Sequence, residues 1–153
     1  MSHLVTRWNT PLSFLLGTLF LFTAVASAQD AGIQGGLSVD PDQFYFGGHV
    51  ETSALVDRLH FRPNVEVGFG DDLTLITANM DFVYKFLTGR NGWGLYAGGG
   101  PALNVYMLDD DSNSEAGLNF LVGVYQAKGL FFEFKVGVMD SPDFKFGVGW
   151  TFR

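Results

Sequence analysis

The sequence predicts an all-β protein: an eight-stranded antiparallel up-and-down transmembrane β-barrel, preceded by a cleaved signal peptide. The clearest observation is the alternation in residues 144–152, where aromatic and apolar residues share one parity and small or charged residues share the other. Successive residues of a strand point to opposite faces, so this run has one wholly apolar face. Seven upstream runs repeat the pattern, and an apolar leader precedes them all.

The first 28 residues have the layout of a signal peptide, and residues 29–153 form the predicted barrel domain. Arg7 lies near the start, an apolar stretch follows at residues 12–25, and Ala26 and Ala28 supply the small-residue cleavage pattern. The apolar stretch is shorter than the roughly 20 residues that a transmembrane helix needs. We therefore expect export through the general secretory route and cleavage before Gln29, with an uncleaved anchor as the alternative.

Turn-forming sequences divide the predicted domain into eight runs. Gly, Pro, Asn and Asp cluster at residues 40–42, 70–72, 89–92, 128–129 and 141–143, and these residue types favour turns. Tilted strands of about 9–11 residues cross a bilayer, and eight is the smallest strand count of outer-membrane barrels. The predicted strands, in order, are 32–39, 43–54, 58–69, 73–86, 93–107, 116–127, 130–139 and 144–152.

Residue parity supports most of these strands, although the first run is rich in glycine and gives the weakest signal. The apolar faces of runs two, three, four, seven and eight are, in order, Phe44, Phe46 and Val50; Leu59, Phe61, Val65, Val67 and Phe69; Ile76, Ala78, Met80, Phe82, Tyr84 and Phe86; Leu130, Phe132, Phe134, Val136 and Val138; and Phe144, Phe146, Val148, Trp150 and Phe152. These faces carry no charged residue, as contact with lipid requires, because a Lys or Arg at the bilayer midplane costs about 2–4 kcal/mol.

The fifth and sixth runs are identified by inward glycines rather than by an apolar face. Small inward positions leave room for four large inward side chains, Tyr45, Tyr96, Tyr125 and Phe131. Pro63 and Pro101 fit the strands poorly, because proline cannot donate to the ladder. We therefore expect a bulge or a local register shift near one or both prolines.

The inward faces predict a charge network in the lumen, with four acids and four bases: Glu51, Glu66, Asp81 and Glu133 with Arg62, Lys85, Lys135 and Lys145. A narrow eight-stranded lumen excludes most water, so charges inside it need partners. The equal numbers predict a salt-bridged plug rather than an open channel.

The chain resembles the small outer-membrane β-barrel family, the eight-stranded OmpA/OmpX-like and opacity-protein-like group, over residues 29–153. Residues 93–104 are similar to the glycine-rich central strand of that family. The C-terminal pattern of Lys145, Gly147, Trp150 and Phe152 is similar to its membrane-insertion signal, although Arg153 departs from the usual terminal aromatic residue. The resemblance implies recognition by the barrel-assembly machinery. From the strand pattern and the leader we expect a location in a Gram-negative-type outer membrane, and we expect a monomer.

The predicted connections at the two barrel ends differ in charge. If the chain starts in the periplasm, the outer connections are 40–42, 70–72, 108–115 and 140–143, and they contain ten acids and no Lys or Arg. The acids of this outer rim are Asp40, Asp42, Asp71, Asp72, Asp109, Asp110, Asp111, Glu115, Asp140 and Asp143. Such a rim is a candidate for gathering divalent cations that bridge lipopolysaccharide phosphates; a simply solvated rim is the favoured alternative.

Other chemistry is weakly supported. Residues 109–115 resemble the start of an EF-hand loop, but its sixth position is serine rather than glycine. His49 and His60, with Glu51 or Glu66, are a candidate luminal metal site, although membership of the polar plug is favoured for both histidines. No paired nucleophile and base is evident, so we expect neither enzyme activity nor a cofactor. The net charge of −7 argues against nucleic-acid binding.

The sequence thus predicts an outer-membrane β-barrel with a closed polar lumen and acidic outer loops. The expected role is non-catalytic, either envelope-structural or in surface interaction, in contact with outer-membrane lipids including lipopolysaccharide. One alternative is a narrow passive pore. The other is a secreted, lipocalin-like soluble barrel that binds a small apolar ligand, which requires Phe and Val to face inward.

Overall fold

The computed structural model describes residues 28–108 and 111–153, and its strands form a single closed sheet. Each strand pairs antiparallel with the next, and the first also pairs with the last, so the sheet has no free edge. The strands are β1 (Ala28–Val39), β2 (Gln43–Thr52), β3 (Leu59–Gly70), β4 (Leu73–Lys85), β5 (Trp93–Leu108), β6 (Asp111–Gln126), β7 (Leu130–Met139) and β8 (Phe144–Phe152). The predicted fold class, an all-β eight-stranded antiparallel barrel, is confirmed.

The strand order defines two ends of the barrel. We call the end where β1 begins and β8 finishes the inner end, and the opposite end, with the connections at 40–42, 71–72 and 140–143, the outer end. Of the predicted cleavage residues, Ala26 lies outside the described residues and Ala28 is the first residue of β1. Cleavage before Gln29 stays a prediction.

The strand ends agree with the sequence in β7 and β8 and differ most at the β5–β6 hairpin. The predicted outer connection at 108–115 is wrong, because β6 begins at Asp111, which pairs with Leu108, and Glu115 pairs with Asn104. Backbone pairing continues here through a polar stretch that hydropathy alone assigns to a loop. β1 likewise begins earlier than predicted, since Ala28 already pairs with Thr52.

The two prolines interrupt pairing without changing the register, so the expected bulge is wrong. The β2–β3 ladder ends at Asn64, the residue after Pro63 in the chain, while β3 continues in register with β4 through that proline. The β4–β5 ladder is interrupted at Pro101 and resumes with the same register on both sides. The missing N–H donor of Pro101 is therefore accommodated by a local gap in the β4–β5 ladder, and that of Pro63 lies beyond the end of the β2–β3 ladder.

The two faces of the wall differ in chemistry as the alternation predicts. Outward-facing apolar side chains are exposed along the whole wall, including Ile33, Phe44 at 74% and Phe120 at 54%. Inward-facing side chains are buried and mostly polar or charged, with Asp81 fully inaccessible. A small apolar cluster packs inside the inner half of the barrel, and it consists of Val83, Tyr96, Leu121 and Phe131, with Tyr125 against it.

Candidate functional site: the polar lumen

The structure brings the eight predicted charged residues together inside the barrel. Seven of them are buried, and Lys85, nearest the inner end, is partly buried. Each of the eight charged side chains lies within 4.0 Å of at least one side chain of opposite charge. Ion pairs therefore run along the interior of the barrel.

Lys135 is the centre of this network. Its Nζ lies 3.2 Å from Glu66 Oε1, 3.2 Å from Asp81 Oδ2 and 3.6 Å from Glu133 Oε1. Only 3% of Lys135 is exposed. A buried cation is tolerated when its charge is matched by close carboxylates, and here three carboxylates from three other inward positions surround one ammonium group.

Two further cations complete the pairing on either side of Lys135. Lys145 Nζ donates to Glu66 Oε2 at 2.6 Å. Arg62 donates to Glu133 Oε2, which also accepts a hydrogen bond from Tyr96 Oη at 2.8 Å. The Arg62 guanidinium lies over the Tyr96 ring, 5.0 Å from its centroid. A guanidinium this close to an aromatic ring makes a cation–π contact.

The inner part of the network consists of Glu51, Lys85 and the histidines. Lys85 Nζ donates to Glu51 Oε1, and His60 Nδ1 lies 3.7 Å from the same oxygen. His49 pairs instead with Thr151, Nε2 to Oγ1 at 3.1 Å. The histidines therefore have separate polar partners. Among the described residues, no group of three or more His, Cys, Asp or Glu side chains is arranged to hold a metal ion.

A chain of asparagine side chains extends the network across the lumen, and these residues are not among the charged residues that the sequence predicts for it. Asn119 Nδ2 donates to Asn79 Oδ1 at 2.6 Å, Asn79 Nδ2 donates to Asn64 Oδ1 at 2.7 Å, and Asn64 Nδ2 donates to Asp81 Oδ2 at 2.9 Å. The available signal was an asparagine at inward parity on three strands. Gln34, whose Nε2 donates to Glu66 Oε1 at 2.7 Å, was missed for the same reason.

Large inward aromatic rings fill the remaining space against glycines. The Tyr45 ring lies against Gly147, Tyr96 against Gly123, Tyr125 against Gly94 and Phe131 against Gly149, and a Cβ at any of these glycines would collide with the facing ring. Each ring thus occupies the space that a side chain would take at the facing glycine, so the interior is packed.

The acids of the predicted outer rim lie at the outer end, where the structure describes them. Asp40, Asp42, Asp71, Asp72, Asp111, Asp140 and Asp143 are exposed, and Glu115 is half-buried. Asp109 and Asp110 lie outside the described residues. Glu115 and Asp111 belong to β6 rather than to a loop.

The predicted insertion-signal residues lie on both faces of β8. Lys145 and Gly147 face the lumen, where Lys145 pairs with Glu66 and Gly147 accommodates Tyr45. Trp150 and Phe152 face outward and are exposed near the inner end. Two of the four residues thus have packing roles in the folded barrel.

Two solved barrels have a similar architecture. The N-terminal β-barrel domain of Pseudomonas aeruginosa OprF aligns with a TM-score of 0.57 at 17% identity, covering 82% of this chain and 98% of that domain. Neisserial surface protein A aligns with a TM-score of 0.62 at 14% identity, covering 80% of this chain and 93% of that one. The chain has the fold of the small eight-stranded outer-membrane barrels.

At such low identity the likeness concerns the fold of this small barrel and not its particular residues. No protein-family model matches the chain, and no curated protein matches it. Within residues 28–108 and 111–153, no helix is long and apolar enough to cross a membrane.

Proposed function

We propose that this chain is a lipid-embedded barrel of a Gram-negative-type outer membrane, with a non-catalytic role in the envelope. The observation that carries the proposal is the distribution of side chains over the two faces of the closed sheet. Large apolar residues are exposed around the outside, while the eight charged residues of the luminal network are paired inside. Water-soluble barrels need the opposite arrangement, because an exposed apolar surface of this extent promotes association.

The closed lumen supports an envelope-structural or surface-interaction role over transport. Every charged residue of the luminal network has an oppositely charged partner, and aromatic rings fill the gaps between ion pairs. A narrow passive pore would need polar space around these groups. The lipocalin-like alternative is not favoured, because most Phe and Val side chains of the strands face outward, and the few inward ones, such as Val83 and Phe131, pack against each other rather than line a ligand cavity.

The two ends of the barrel suggest its contacts in the envelope. Exposed acids at the outer end are suited to divalent cations that bridge lipopolysaccharide phosphates, and the aromatic residues of β8 are suited to the barrel-assembly machinery. Both partners, export by the general secretory route and a monomeric state are part of the proposal.

The proposal is tested by fractionating a Gram-negative host that expresses the full chain. The membrane fraction is then run on an SDS gel with and without boiling. We expect the protein in the outer-membrane fraction, with a mobility that changes on boiling because a closed barrel resists SDS until heated. Recovery in the soluble periplasmic or secreted fraction, with the same mobility before and after heating, would overturn the proposal.

A further inference from the structure

The β7–β8 connection differs from an ordinary exposed turn because its middle is buried. Asp140 and Asp143 are exposed, whereas Ser141 is only 6% exposed and Pro142 is also buried. Met139, directly before them, has a φ of 63°, a left-handed conformation that redirects the chain sharply. We call residues 140–143 the strap. It turns back into the outer end of the lumen.

Two inward glycines make room for the strap. A Cβ at Gly117 would collide with Ser141 Oγ, and a Cβ at Gly137 would collide with the carbonyl oxygen of Pro142. These glycines lie on β6 and β7 respectively, in the half of each strand nearer the outer end. Any larger residue at Gly117 or Gly137 would occupy the space that the strap now fills.

Side chains of β5 hold the strap in place. Asn104 Nδ2 donates to the carbonyl oxygen of Asp140 at 2.8 Å and lies 3.3 Å from Ser141 Oγ. Tyr106 Oη donates to the same Asp140 carbonyl at 2.9 Å. Asn104 is fully buried, and its own Oδ1 accepts a hydrogen bond from Thr77 at 2.9 Å. The strap is therefore tied to the polar interior of the barrel and not only to its rim.

We propose that the strap is a lid that closes the outer mouth of the lumen and can swing outward without unfolding the barrel. Its attachments are three side-chain hydrogen bonds, one backbone hydrogen bond from the Gly137 N–H to the carbonyl oxygen of Asp143 at 3.1 Å, and a fit against two glycines. The wall beneath is a continuous ladder of strands. Local units with few attachments open at lower free energy than the whole domain. The lid adds a second closure, at the outer end, to the ion-paired plug. That this end faces the outside of the cell rests on the proposed function, whereas the lid itself does not.

The test measures how fast a thiol in the strap reacts with a water-soluble maleimide. The chain contains no cysteine, so Ser141→Cys and Asp143→Cys each introduce a single reporter. The protein is purified in detergent from membranes of cells that express the full chain. Only the fraction with native mobility on an unheated gel is analysed.

If the strap is closed, Cys at position 141 reacts at least about tenfold more slowly than Cys at position 143, because buried groups react only through opening. Gly117→Ala and, separately, Asn104→Ala should each raise the rate at position 141 by about tenfold while native mobility is retained. Gly48→Ala is the matched control, because a Cβ there meets only the carbonyl oxygen of Gly32 at 3.5 Å, and it should leave the rate unchanged.

Equal rates at positions 141 and 143 in the parent would overturn the proposed lid. Slow labelling that neither Gly117→Ala nor Asn104→Ala accelerates would also overturn it, since the strap would then be a fixed part of the wall. The unheated gel reports separately on the membrane barrel. A failure of the proposed function therefore remains distinguishable from a failure of the lid.

Discussion

Replacing Lys135 with methionine should destabilise the barrel more than any other single loss of a lysine charge. Methionine is similar in length to lysine and apolar, so the substitution removes the charge while keeping most of the packing. The three carboxylates that lie 3.2–3.6 Å from Lys135 Nζ would then face each other with less compensation. Glu66 and Glu133 retain Lys145 and Arg62, whereas Asp81 keeps only the hydrogen bond from Asn64.

The expected cost follows from this geometry. Removing one partner of a buried ion pair destabilises by about 3–5 kcal/mol, because the other charge is left uncompensated. Lys128→Met, at an exposed turn, is the matched control and should change the free energy of unfolding by no more than about 0.5 kcal/mol. Adding Asp81→Asn to Lys135→Met should recover at least about 1 kcal/mol, since it removes the carboxylate left without a cation.

The assay is urea-induced unfolding of the barrel in lipid vesicles, followed by tryptophan fluorescence and by the fraction with native mobility on an unheated gel. A loss below about 1 kcal/mol for Lys135→Met would refute a central role for this ammonium group, because it would fall in the range of exposed ion pairs. Failure of Asp81→Asn to restore any stability would show that the loss has another origin.

Three further predictions concern the packing of the lumen, the lipid-facing wall and the insertion signal. Gly149→Ala should cost about 1–3 kcal/mol by overpacking against Phe131, measured in the same assay; a cost equal to that of Gly48→Ala would contradict tight ring–glycine packing. Phe120→Lys, outward near the middle of β6, should cost about 2–4 kcal/mol, whereas Phe44→Lys at the outer end should cost about 0–1 kcal/mol; equal costs would argue against a bilayer around the wall. Phe152→Ala should lower the amount of folded barrel in cells while leaving its unfolding free energy within about 1 kcal/mol of the parent. Assembly at the parent rate in pulse-labelled cells would show that Phe152 is not part of an insertion signal.

The barrel architecture could be predicted from the sequence because strand parity and turn-forming residues are set by short stretches of the chain. Phe44 and Phe46 alternate with Tyr45 whatever the rest of the chain does, and runs three, four, seven and eight show a similar alternation. The strand ends were less accessible. Asp111 begins β6 because its backbone pairs with Leu108, and pairing does not require apolar side chains.

Strand parity predicts which residues face the lumen, but it does not predict which of them form hydrogen bonds and ion pairs with each other. Parity gives the inward position of Glu66, while its choice of Lys145, Lys135 and Gln34 as partners depends on how strands distant in sequence are staggered around the barrel. The buried strap is a similar case. Ser141 was read as part of an acidic turn, because nothing local shows that Gly117 leaves space for it.

The most direct test of the central claim is whether Trp150 lies in lipid. Trp150 is outward-facing and 41% exposed near the inner end of β8, and Trp93→Phe makes it the sole tryptophan in residues 29–153. In vesicles of lipids brominated on their acyl chains, the account predicts strong quenching of Trp150 fluorescence and weak quenching by aqueous acrylamide. Strong quenching by acrylamide with none by the brominated lipids would contradict a membrane-embedded barrel.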